Sequence, residues 1–426
     1  MKKVQIYKYF EALLKLLLQL FGYFPISSFE TDTYKKLVEI FLKVWSSAII
    51  SGILFYISYA VCNEKDIFSN FIIGKANDIL KFVTVYAAFS INVIETNLRW
   101  RSLRKLEMLC KGFERIVNFN KFQFQMRKTY IFKFITMAVL VCIVEVQIVS
   151  TVTTNKWKCY WLLIVIPIVA CRLRTMQYIY YLNLIRFYTK MINQEMKMIA
   201  LYSSKCFTKA ETDFISKRLQ ILKHFYQQLY KITEATNKFF CFSINFNFIH
   251  EFIESGTEYY YIYLSLTDSI DVNLCTAYIS AFGPTVFMFL PLYEAELIEC
   301  EASKIGDLLH SIKKNEVDTE LYQIVRIIWD VSICQAAVDK YKELTNSFIY
   351  FQIHYFSLQI HQEKIELHSS SIANINLKLF VSIVGGLMTY LILFIQFSTL
   401  AEEQKDKSNV RKFTITASSL NLNFIV

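Results

Sequence analysis

Helix breakers are scarce in this chain: 426 residues hold only 9 glycines and 4 prolines. So few interruptions favour long helices, and no run of short alternating strands suggests a barrel. Catalytic signatures are missing too. There is no Gly-rich phosphate loop, no Gly-x-Ser-x-Gly elbow and no His-Glu-x-x-His pair, so nothing assigns catalytic residues, a cofactor or an enzyme activity. The 10 cysteines show neither paired nor metal-like spacing and read as small apolar residues. Cys62, Cys159 and Cys275, near expected outer helix ends, are the only bridge candidates. His354, His361 and His368 recur every seven residues, a spacing that can align three imidazoles on one helix face, but no Cys or carboxylate accompanies them at ligand spacing. They read as facing an interface or water, and no metal is expected.

What the chain does have is apolar bulk: 54% hydrophobic and 16% aromatic residues. That composition argues for lipid as solvent and makes this an all-α multi-pass membrane protein. A net charge of +10 raises the question of nucleic acid, but the basic residues sit in blocks between apolar stretches, so topology explains them and no nucleic-acid partner follows. The Lys2-Lys3 start followed by Leu13 to Leu20 imitates a signal peptide. Lys15 interrupts its apolar core and Gly22-Tyr23-Phe24-Pro25 is a poor cleavage site, so an amphipathic helix ahead of the first span is expected instead.

A bilayer core about 30 Å thick needs roughly 20 apolar helical residues. That window gives seven spans, near 40–61, 79–98, 131–153, 160–184, 239–265, 273–294 and 373–398. The fifth is the weakest by hydropathy because it holds His250, Glu251, Glu254 and Glu258. Lys and Arg set the direction. Arg99, Arg101, Arg104, Lys105, Lys111 and their neighbours follow span two, and Arg186, Lys190, Lys197 and others follow span four. Residues 266–272, by contrast, hold no base. The N-terminus is therefore expected inside and the C-terminus outside, the reverse of a G-protein-coupled receptor, which leaves a metabotropic seven-helix receptor as a disfavoured alternative.

The expected organisation is a cytoplasmic segment at 1–39, six spans over 40–294, a cytoplasmic helical anchor at 295–372, a last helix at 373–398 and an extracellular tail at 399–426. Apolar residues at helical spacing, such as Leu219, Leu222, Tyr226 and Leu229, and later Leu321, Val325 and Ile328, make the inner segments helical extensions of the spans. Their apolar faces need cover, for which other subunits are the candidate.

The last span is the most informative. Ser382, Thr389 and Gln396 lie seven apart and share one stripe. Two readings stand on physics alone. The stripe bonds neighbouring helices while Gly385-Gly386 allows close packing, or symmetry-related copies of it face an ion pathway. Thr389-Tyr390, five apolar residues and Gln396-Phe397 resemble the C-terminal signature of insect gustatory receptors in all nine positions, and Gly22 to Pro25 and Ser382 to Gly385 resemble further elements of that family.

The resemblance implies a tetrameric, ligand-gated, non-selective cation channel in the plasma membrane of chemosensory neurons. It would be a homotetramer or a heterotetramer with related receptors, anchored by the inner helices and opened by a small-molecule tastant. Gln396 and Phe397, with Thr389 and Ser382 along the same stripe, carry over as pore and gate residues. The ligand pocket is implied in the outer half of each subunit, where Glu145, Gln147, Glu254, Glu258, Thr276 and Tyr278 have suitable chemistry. Glu251, Glu254 and Glu258 also share a face and demand a wet cavity or basic partners, with Arg172 and Arg174 available, so an internal ion-pair network stands beside ligand contact. Leu391, where the sugar-receptor branch carries Glu, points toward the group that detects bitter plant compounds. An odorant-receptor-type channel is the neighbouring alternative.

Overall fold

The computed structural model describes residues 12–24, 32–63, 72–116, 120–151, 155–203, 209–267, 274–312, 347–369 and 373–397. The helices are α1 (12–20), α2 (Asp32–Cys62), α3 (Ile72–Leu98), α4 (Trp100–Ile116), α5 (Asn120–Thr151) and α6 (Asn155–Ser203), then α7 (Lys209–Phe239), α8 (Ser243–Leu266), α9 (Leu274–His310), α10 (Ser347–Gln362) and α11 (Leu377–Phe397). Among the described residues the fold is all-α but for one small antiparallel pair, β1 (His368–Ser369) with β2 (Ala373–Asn374).

Each of the seven expected spans is helical over most of its described residues. Among the described residues five helices, α2, α3, α5, α6 and α11, are long and apolar enough to cross a bilayer by composition alone. In α8 the ionisable row dilutes the apolar signal, as its sequence foretells. The expected bounds need two corrections. The fifth span starts at Ser243 rather than 239, because the chain breaks helix at 240–242, and the last starts at Leu377 because β2 precedes it.

The buried core centres on α6, where 78% of the most apolar stretch is buried, against 17% in α2 and α5 and 6% in α11. The outer three thus turn side chains such as Phe55, Phe132 and Val381 to the surroundings, the proper arrangement where lipid is the solvent. Pro167 sits inside α6 without ending it. A proline leaves the carbonyl four residues back without its helical donor, and here the Tyr86 hydroxyl of α3 donates to the Leu163 carbonyl at 2.8 Å.

The expected amphipathic N-terminal helix is α1. Leu14 and Leu18 are buried while Leu13, Leu16 and Leu20 are exposed. It ends in a Schellman cap: Gly22 N–H donates to the Gln19 carbonyl (3.0 Å) and Tyr23 N–H to that of Leu18 (2.7 Å), with Gly22 left-handed at φ 75°. The cap drives Tyr23, fully buried, against Phe89 and Arg174.

Beyond the spans the chain continues as helix at α7 and in the far parts of α6 and α9. α6 runs past its span to Ser203, α9 continues to His310, and α7 offers buried Leu219, Leu222, Tyr226 and Leu229. Against α7 packs α10: the Tyr226 hydroxyl donates to the Glu363 carbonyl (2.8 Å), its ring meets Phe356, and Lys223 Nζ lies 3.5 Å from the Tyr355 ring centre. Leu321, Val325 and Ile328 fall outside the described residues, as does the tail from 398. The histidine heptad does not share one helix, since α10 ends at Gln362 and His368 belongs to β1. Cys62 is a free thiol, while Cys159 and Cys275 lie outside the described side chains.

Candidate functional site

Four helices bring charge together inside the bundle. Arg172 of α6, 3% exposed, extends its guanidinium to three carboxylates: Nη2 lies 3.0 Å from Glu254 Oε1, Nη1 3.5 Å from Glu145 Oε1, and Nε 3.6 Å from Glu251 Oε1. Glu145 belongs to α5 and also accepts from the Trp161 indole N–H at 2.8 Å; Glu251 and Glu254 belong to α8. The Phe287 ring of α9 closes one side, with Arg172 Cζ 5.3 Å from its centre. One turn further along α8, Glu258 pairs with Lys81 of α3. His250 is buried beside the row, its Nε2 3.4 Å from Glu254 Oε2.

The expected carboxylate row is therefore real, but its partners differ from the expected pair. Residues two apart on a helix point to nearly opposite sides, so Arg174 cannot join Arg172. It faces the α7–α8 break instead. There its guanidinium takes Ser243 Oγ (3.0 Å) and Gln177 Oε1 (2.7 Å), and stacks against Phe239 and Phe240. The carboxylate at that point is Glu95 of α3, which accepts the backbone N–H groups of Phe242 (2.9 Å) and Ser243 (2.7 Å) and the Ser243 hydroxyl.

Of the other pocket candidates, Tyr278 is 52% exposed on α9. The side chains of Gln147 and Thr276 lie outside the described residues. Lys81, Glu95 and His250 were not singled out by sequence. The one signal for the first two was an ionisable residue inside an apolar window, which is costly unless paired. A cleft of about 450 Å³ opens elsewhere, between α7 and the 362–368 segment, lined by Tyr230, Glu234, Asn237, Lys238, Lys364 and His368. It belongs to the helices beyond the spans and not to the charged cluster.

The second element of interest is α11. Asn376 caps it, its side-chain oxygen accepting Leu379 N–H at 3.3 Å, and Glu296 of α9 accepts Leu377 N–H at 3.3 Å. The Asn374 to Lys378 stretch thus supplies its own cap. One face of α11 packs on α8: Tyr390 presses on Gly256, where a Cβ would come within 2.8 Å of its ring, and meets Phe252, while Phe394 meets Tyr260. The polar stripe lies away from that contact. Ser382, Thr389, Gln396 and Phe397 are all exposed. Ser382 and Thr389 hydroxyls donate back to Lys378 (3.1 Å) and Gly385 (3.0 Å) carbonyls.

Just below that cap, on the part of α9 beyond its span, burial together with Glu296 and Glu366, against Lys378, pushes the Glu299 carboxyl from 4.5 up to about 7. A raised carboxyl pKa means the folded chain holds the proton longer than the unfolded one. Stability is then greatest below about pH 4.5 and falls as pH rises to about 7. Glu299→Gln is expected to flatten that slope in thermal unfolding of the purified protein, and an unchanged slope would refute the assignment.

A family model described as 7tm chemosensory receptor matches residues 13–328. Among solved structures, the insect olfactory receptor OR5 from Machilis hrabei shares the fold, with a TM-score of 0.64, 12% sequence identity, and coverage of 93% of this chain and 100% of that one. Its structure in complex with eugenol gives a TM-score of 0.58 at the same identity and coverage. The comparison with curated proteins gives no significant match.

Proposed function

The chain belongs to the 7tm chemosensory receptor family, and from that premise we propose that it is a gustatory-type receptor of the plasma membrane of chemosensory neurons, acting as a ligand-gated non-selective cation channel opened by external tastants, bitter plant compounds above all. The observation that carries this reading is the stripe on α11. A polar side chain on a lipid-facing helix costs free energy unless water or a partner meets it. Ser382 and Thr389 have local acceptors for their protons, but the Gln396 amide has two donors and an acceptor, is exposed, and is turned from its own bundle. Four such helices around an axis would give each stripe a common water-filled path. A ring of amides can replace part of an ion's hydration, and a ring of Phe397 side chains can close the path by dewetting.

In this reading the N-terminus is cytoplasmic, the inner extensions α7, α9 and α10 join the subunits, and tastants enter the outer half near Glu145, Gln147, Glu254, Glu258, Thr276 and Tyr278. The contact of α8 with Tyr390 gives a mechanical link: a ligand that shifts α8 moves the surface on which α11 rests. Because the solved relatives in hand are olfactory receptors, an odorant-type channel opened by volatile phenols such as eugenol is the second reading. The complete Thr389 to Phe397 signature favours taste.

Patch recording from cells expressing the chain, with G-protein signalling blocked, tests this. Alkaloids, glycosides, sugars and volatile phenols applied outside are expected to evoke cation current from the first class, with permeability ratios shifted in Gln396→Ala. Current with unaltered permeation in that variant would remove Gln396 from the pore, and responses to volatile phenols alone would favour the odorant-type reading.

A further inference from the structure

The charged cluster is not balanced. Its ion pairs join four carboxylates, Glu145, Glu251, Glu254 and Glu258, to two cations, Arg172 and Lys81. An excess of two negative charges inside a membrane bundle is costly unless something neutralises it. The unmatched atoms lie close together. Arg172 draws on the Oε1 atoms of Glu251 and Glu254, while Glu251 Oε2, Glu254 Oε2 and both ring nitrogens of His250 are buried without a hydrogen-bond partner among the described residues. His250 and Glu251 are only 1% and 2% exposed. A buried imidazole with neither nitrogen bonded, beside two carboxylates each offering a spare oxygen, is chemically a set of ligands.

We infer that His250, Glu251 and Glu254 bind a divalent transition-metal ion of the zinc class. Donor atoms of the three residues lie within 4.8 Å of one another. Zinc bonds to imidazole nitrogen and carboxylate oxygen at about 2.0–2.2 Å, so the set closes on an ion with a shift of side chains alone, leaving a further position for water or a ligand. The donor set decides the class. Calcium and magnesium want six or more oxygens, whereas one imidazole with two carboxylates suits zinc and its neighbours. Arg172 then acts from behind, donating a hydrogen bond to the other oxygen of Glu254 at 3.0 Å and facing that of Glu251 as a charge at 3.6 Å. A divalent ion supplies the two missing positive charges. Glu145, Glu254, Glu258 and Lys81, 13–17% exposed, form the partly open rim by which it would enter.

The spacing explains why the sequence hid the site. His-Glu-x-x-Glu places ligands at i, i+1 and i+4, so Glu254 shares a face with both His250 and Glu251 while those two are adjacent in the chain, a pattern that matches neither the His-x3-His nor the His-Glu-x-x-His spacing. The inference is independent of the channel reading, since binding can be measured without current.

The test uses the full-length receptor in lipid nanodiscs, stripped with a chelator and dialysed against zinc chloride. Two variants are compared with the parent: His354→Asn/His361→Asn/His368→Asn, which clears histidines of the inner segment, and His250→Asn. The parent and the triple variant are expected to take up one zinc per chain and to melt at higher temperature with zinc, and His250→Asn to bind at least tenfold more weakly. Equal zinc uptake by His250→Asn, or none by the parent, would overturn the site and leave protons as the neutralising ions. Should His250→Asn fail to give monodisperse protein, cobalt bound to the triple variant decides: visible absorption bands of a low-coordinate nitrogen and oxygen site are expected, and their absence refutes the site.

Discussion

Arg172→Leu is expected to lower the stability of the receptor by about 3–5 kcal/mol, the cost of breaking a buried ion pair by removing one partner. Against a total of about 5–15 kcal/mol for a typical domain, such a loss should remove most of the protein from the cell surface. The size follows from the geometry. One guanidinium serves carboxylates on α5 and α8 at once, so its removal leaves Glu145, Glu251 and Glu254 facing one another without the basic side chain they share. Arg172→Lys should fall between parent and leucine variant, because an ammonium is a point charge and lacks the planar fork that reaches three acceptors. Adding Glu251→Gln and Glu254→Gln to the leucine variant should restore part of the lost surface expression by removing the unpaired charge. Thermal unfolding in detergent and surface biotinylation would measure all three, and a leucine variant with unchanged melting would show that the carboxylates need no cation.

How much of this was legible in the sequence depends on the range of the interaction. Five of the spans were readable because each is set by its own composition, and the α1 helix because its leucines, Lys15 and Gly22 lie within one short stretch. The carboxylate row on α8 was readable for the same reason, as was the stripe on α11. What faced them was not. Arg172 and Arg174 look equivalent in the sequence, and their two-residue spacing sends them to different partners. The histidine heptad aligns no three-residue face, because a seven-residue repeat means one face only while the helix lasts, and α10 stops at Gln362. Nothing near 240–242 announces the helix break, for the stretch Phe239-Phe240-Cys241-Phe242 has neither Gly nor Pro.

The acceptor at that break is a residue 147 positions away in the chain, and it motivates the second large effect: Glu95→Ala is expected to cost as much as the loss of Arg172. The N-terminus of a helix leaves backbone N–H groups without partners and carries a partial positive charge. Phe242, at the cap position of α8, offers no side-chain acceptor, and Glu95 of α3 supplies both carboxylate oxygens instead, one to the N–H of Phe242 and one to that of Ser243. The same carboxylate lies 3.9 Å from Arg174 and 3.1 Å from Arg99, so it offsets the one fully buried guanidinium at this level of the bundle. Its removal therefore uncaps a helix and strands a buried cation together, the second alone accounting for about 3–5 kcal/mol. Glu95→Gln keeps one good acceptor but loses the charge and should be intermediate. Hydrogen exchange separates the two contributions: in Glu95→Ala the amides of residues 242 and 243 should exchange faster than in Arg174→Leu, which keeps the cap. Equal exchange in the two variants would mean that Glu95 serves only as a counter-ion and that the start of α8 is held by its packing against Phe239 and Phe240.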